Sequence, residues 1–257
     1  QVMEGDGSTA VTGSYNVAVG LRAMEMATTA QENTAIGYYS MQAITTGNFN
    51  TGCGSQALDN VTTGDRNTGV GYNALKALTT ADNNTGVGYL ALFANTTGTQ
   101  NTAVGQALQA NTTGSYNTFM GMYSGESNTT GSYNSALGRS ALNQNTTGQY
   151  NTAIGHQALY ANTTSNDNTA FGALALKANT TGTNNVGVGV SALRANTTGD
   201  ANAAIGAYAL TANTTGYSNI AIGDNALKTA TSTNRTIAIG DQAMELTTTG
   251  SWGVAIG

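Results

Sequence analysis

The chain is 257 residues long, carries a net charge of −5 and has only 8% Asp, Glu, Lys and Arg, where about 25% is usual in a soluble domain. It holds 34 glycines, no proline and one cysteine, which excludes an internal disulfide and a Cys-based zinc site. Eight scattered basic residues argue against a nucleic-acid partner, and no apolar run approaches the roughly 18–20 residues a membrane-crossing helix needs.

In chain order, residues 1–15 read as a partial repeat, Val11-Thr12-Gly13 matching the tail of the unit that follows. Residues 16–257 read as a single continuous repeat domain. Its marker is a glycine recurring from Gly20 through Gly37, Gly54 and Gly71 to Gly257 at a spacing of 17. One step, Gly105 to Gly121, is 16, a residue having been lost within Gln106-Ala107-Leu108. The idealised unit is N-T-A-V-G-x-x-A-L-x-A-N-T-T-G-x-x. Neither end has the polar outer face of a solenoid cap, so the segment is expected to continue into a longer protein.

The slot before each glycine is apolar: Val19, Ile36, Cys53, Val70, Val87, Val104, Ile154, Ile205, Ile222 and Ile239 are examples. The slot two residues earlier, usually Thr but Val17, Val186, Ile220, Ile237 and Val254 elsewhere, shares its parity on a strand. Both are expected to face inward as the structural core column, with Cys53 a small buried hydrophobe. The intervening Ala or Gly is expected to face outward, against another chain or a neighbouring wall. A second apolar column runs through Leu58, Leu75, Leu92, Leu108, Leu142, Leu159, Leu176, Leu193, Leu210 and Leu227, and Gly125 interrupts it. Its A-L-x-A-N segment is too short for a stable helix and reads as a short strand or bend. Asn-Thr-Thr-Gly marks a turn.

One unit cannot fold alone. Burying its Val and Leu contributes about 1.5–3 kcal/mol each, against roughly 1–2 kcal/mol per residue for ordering the backbone. Stacked neighbours must supply the difference, which predicts an all-β parallel β-solenoid of about fifteen 17-residue coils, a rod roughly 70 Å long at ordinary strand spacing.

The units Asn151-Thr-Ala-Ile-Gly155-His-Gln-Ala-Leu159 and Asn162-Thr-Thr resemble the NTAIGxxAL…NTTG repeats of phage tail fibres and bacterial surface fibres. More distantly, the N-x-A-[IV]-G core is similar to the head repeats of YadA-like trimeric autotransporter adhesins. This resemblance implies a left-handed solenoid assembled as a homotrimer or filament at a cell or virion surface, in contact with a host-surface or matrix component.

Chemistry-bearing patterns are sparse. His156 is the only histidine, so no His-based triad or multi-His metal site is available, and it reads as a surface residue. The acids are scattered and lack calcium-loop spacing, and the glycines lack the Gly-Lys-Ser/Thr ending of a phosphate loop. No catalytic, cofactor or metal residue is assigned, and the chain is not expected to be an enzyme. Tyr72, Tyr89, Tyr116, Tyr133, Tyr150 and Tyr217, with Trp252, could stack on sugars or partners, or staple adjacent turns. Asn95, Asn111, Asn128, Asn145, Asn162, Asn179, Asn196 and Asn213 each open an N-T-T sequon, read as a glycan site or, preferably, an Asn ladder. Thr96, Thr112, Thr129, Thr146, Thr163, Thr180, Thr197 and Thr214 form a column that could face a ligand or ice. The functional expectation is therefore the shaft or receptor-binding segment of an extracellular fibre, the alternative an ice-binding solenoid using that Thr column.

Overall fold

A computed structural model describes residues 13–257; Val11 and Thr12 of the expected partial repeat lie outside the described residues. Fifteen three-residue strands recur once per repeat: β1 Val17–Val19, β2 Thr34–Ile36, β3 Thr51–Cys53, β4 Thr68–Val70, β5 Thr85–Val87, β6 Thr102–Val104, β7 Thr118–Met120, β8 Ser135–Leu137, β9 Thr152–Ile154, β10 Thr169–Phe171, β11 Val186–Val188, β12 Ala203–Ile205, β13 Ile220–Ile222, β14 Ile237–Ile239 and β15 Val254–Ile256. The chain divides into two compact units, Gln1–Met120 with Glu126–Thr130, and Gly121–Gly125 with Gly131–Gly257. Strands β1–β7 lie in the first and β8–β15 in the second.

Within each unit, every strand pairs in parallel with that of the next repeat, residue for residue. Thr68, Gly69 and Val70 face Thr85, Gly86 and Val87 in the first unit, and Ile220, Ala221 and Ile222 face Ile237, Ala238 and Ile239 in the second. Each unit is a parallel β-solenoid. The shortened repeat keeps this register, with Thr102 against Thr118. Among the described residues there is no helix. The Ala-Leu segment is a run of turns, closer to the expected bend than to a strand.

A coil of 17 residues closes tightly, and the backbone carries the cost. In most coils three non-glycine positions are left-handed, as at Gln56 (φ 56°), Leu58 (φ 55°) and Arg66 (φ 56°). Each costs roughly 1–2 kcal/mol, offset by hydrogen bonds that run from coil to coil outside the strands as well, such as Leu58 N–H to Ala74 O at 3.0 Å. The repeat glycine has a different role. Gly54 and Gly71 have φ of 140° and 129°, and a Cβ on Gly54 would collide with the Gly71 carbonyl in the coil above.

The strand columns face the opposite way from the expectation. Ala35, Ala103, Ala153, Ala204, Ala221 and Ala238 are fully buried, whereas Val19 and Ile36 are 56% and 43% exposed. Of the expected core column, Ile205 and Ile222 are likewise exposed and Cys53, Val70, Val87, Val104, Ile154 and Ile239 are only half-buried. The reason is thickness. The interior is filled from the other wall by Met41, Leu58, Leu75, Leu176 and their column, all fully buried. A Cβ on Gly69 or Gly86 would lie 3.1 Å from Cγ of Leu58 or Leu75. A coil this narrow has room for one row of large side chains, so the strand turns Ala or Gly toward it, except in β7, where Phe119 points inward and the same repeat has Gly125 in the Leu slot.

Candidate functional site

The outward strand face carries two parallel columns. Thr34, Thr51, Thr68, Thr85, Thr102 and Thr118 form one in the first unit, beside Ile36, Cys53, Val70, Val87, Val104 and Met120. In the second unit the Thr column gives way to Val186, Ala203, Ile220, Ile237 and Val254, beside Val188, Ile205, Ile222, Ile239 and Ile256. No outward position of any strand is Asp, Glu, Lys or Arg. Cys53 sits in this row half-buried, not in the interior. Parity showed that the two columns share a face; it could not show that the face is outward.

The sequon asparagines are interior. Asn95, Asn111, Asn128, Asn145, Asn162, Asn179, Asn196 and Asn213 are all fully buried. Asn196 Nδ2 donates to Asn179 Oδ1 at 2.8 Å and to Gly199 O at 2.9 Å, and Asn111 Nδ2 likewise to Asn95 Oδ1 and Gly114 O. With both amide protons engaged inside the coil, the side chain is a ladder rung that a glycosyl donor cannot reach in the folded state. The ladder reading stands over the glycan one. A second ladder, not anticipated, uses the Asn that precedes each strand from β1 to β13. Asn67 Nδ2 donates to Asn50 Oδ1 at 3.1 Å and to Ala81 O at 2.8 Å, and Asn202 repeats the pattern on Asn185 and Gly216.

The threonine column proposed to face a ligand or ice is not presented for that purpose. Thr96, Thr112, Thr163, Thr180 and Thr197 donate their hydroxyls to the backbone carbonyl of the next coil at 3.0–3.3 Å. Thr146 does the same toward Thr163 and Thr214 toward Thr231, while Thr129 is half-buried in the same column. Their Oγ1 protons are consumed by stacking. The outward threonines are instead the neighbours, such as Thr97, Thr181 and Thr198, and those of the strand face.

The tyrosines staple neighbouring coils. Tyr72 and Tyr89 stack at 5.7 Å between ring centroids and 12° between planes, and Tyr133 and Tyr150 at 4.9 Å and 7°. Arg235 lies between Tyr217 and Trp252, its guanidinium 5.1 and 4.8 Å from the two rings. All of these rings remain exposed enough to touch a partner. His156 is exposed, as expected. Among the described residues no three His, Cys, Asp or Glu side chains come together to hold a metal ion, and no helix is long and apolar enough to cross a membrane.

No family model matches the chain, and no curated protein matches it.

Proposed function

We propose that the chain is a shaft or surface-binding segment of an extracellular fibre, of the phage tail-fibre or cell-surface adhesin kind, whose copies associate through their outward strand faces. The observation that carries this reading is the uncharged outward strand face of each unit, apolar along one column in both units and along both columns from Val186 onward in the second. Parallel sheets are ordinarily covered on both faces, and an extended exposed apolar patch marks a contact surface. A second copy offers the same row at the same spacing, so the two match in chemistry rung by rung. The resemblance of Asn151–Leu159 to fibre and adhesin repeats supports a homotrimer at a cell or virion surface. We assign no catalytic residue. The contact surface is thus the Val/Ile row rather than the Ala/Gly column.

The test is the solution mass, by light scattering behind size exclusion. A mass near three times 26.0 kDa is expected; a mass near one chain overturns the assembly. A second reading, ice binding, is favoured by one observation: six successive threonines, Thr34 to Thr118, line the outward face of the first unit. Thermal hysteresis from a monomeric chain would replace the fibre reading with this one.

A further inference from the structure

The second unit has an open groove of about 580 Å³ on the wall of turns, away from the strand face, lined by Tyr160, Lys177, Arg194 and Thr211 over alanines that include Ala178 and Ala195. These four side chains hold one slot of the repeat in successive coils, so they stand in a row about 4.7–4.9 Å apart. Lys177 and Arg194 are adjacent cations in a chain whose net charge is −5, and neither forms an ion pair among the described residues. Lys228, the next cation in the row, is already paired with Glu245 at 3.5 Å.

We propose that this groove binds a linear acidic polysaccharide bearing carboxylates. The groove's own surface is almost wholly apolar, so the stems of Lys177 and Arg194 line it and their charged ends stand at its rim, where they meet an anionic substituent, while the Tyr160 ring offers an apolar face to a neighbouring sugar ring and the alanines form a flat floor for its C–H edges. An acidic peptide fits less well. A peptide added as a strand needs free main-chain donors, and those of the floor are spent between coils: Ala161 N–H to Lys177 O, Ala178 N–H to Arg194 O and Ala195 N–H to Thr211 O, each at 3.0 Å. Recognition here must come from side chains. The groove does not involve the self-association face, so its ligand is bound whatever the oligomeric state.

The test is calorimetric titration of the full chain at low salt with hexagalacturonate, a hyaluronan hexasaccharide and an oligosialate, beside neutral maltohexaose and a glutamate hexapeptide. At least one acidic oligosaccharide is expected to bind, and the two controls are not. K177Q/R194Q should weaken that binding about tenfold or more, and Tyr160→Ala by roughly three- to tenfold, with thermal unfolding unchanged in both. Failure of all three acidic oligosaccharides to bind overturns the proposal. So does equal binding of the glutamate peptide, or binding that K177Q/R194Q leaves intact.

Discussion

Asn213 is the last rung of its ladder, and its Oδ1 is buried without a partner because the next residue in the column is Ala230. Three residues on, Thr233 Oγ1 is buried and unpaired as well. In an earlier coil the equivalent hydroxyl, Ser165 Oγ, donates to the Asn162 that precedes it by three. Ala230→Asn would give both orphaned atoms a partner, its Nδ2 to Asn213 and its Oδ1 to Thr233. Since an unsatisfied buried polar atom costs about 1–3 kcal/mol, the substitution should raise stability by an amount of that order, read as a higher denaturation midpoint. Asn196→Ala, in mid-ladder, removes bonds to Asn179, Gly199 and Asn213 and should cost about 3 kcal/mol or more. Thr198→Ala, exposed two residues away, should stay within about 0.5 kcal/mol.

A single carboxylate adds a pH dependence. Burial raises the pKa of Asp59 above the usual 3.8, and nearby Lys76 opposes the shift only in part. The folded state therefore penalises the charged form. The penalty is fully present above the raised value, is relieved as pH falls through it, and is gone below the ordinary Asp value. Asp59→Asn should stabilise the first unit at neutral pH and lose that advantage in acid, as denaturant midpoints across the pH range would show.

At the scale of the coil, stability rests on the Leu wall and the thin strand wall facing it. Leu176→Ala should cost about 2–5 kcal/mol, and Phe119→Ala about 3–5 kcal/mol, both side chains being fully buried. Phe119 is the one large residue in the Ala/Gly slot, and its repeat is also the one that carries Gly125 where others have Leu or Met. The period and the Leu column were legible because each repeats without regard to neighbours. Which strand face is inward was not. Alternation divides a strand into two faces, and hydrophobicity favours Val and Ile for the interior. That preference loses here to the leucines already occupying the space, as the 3.1 Å approach at Gly69 shows. The groove at Tyr160, Lys177 and Arg194 was equally present in the repeat, but only alignment of the coils turns residues 17 apart into neighbours.

For the whole molecule, the outward row sets the prediction. Replacing Ile205 and Ile222 by Asp places charges in the middle of the apolar face. The variant should run as a single chain in light scattering while its far-UV spectrum stays that of the parent, because both side chains point away from the interior. Loss of the fold along with the assembly would mean that the row is part of the core.

The sequence by itself determined the repeat length, the parallel stacking, the Leu column and the Asn ladder, since each follows from identical residues returning every 17 positions in a chain too poor in local structure to fold one unit at a time. Only the tertiary structure decided which way the strand columns face and which threonines reach solvent. Those depend on the width of the closed coil, and width is set by side chains meeting across it rather than by any pattern along the chain.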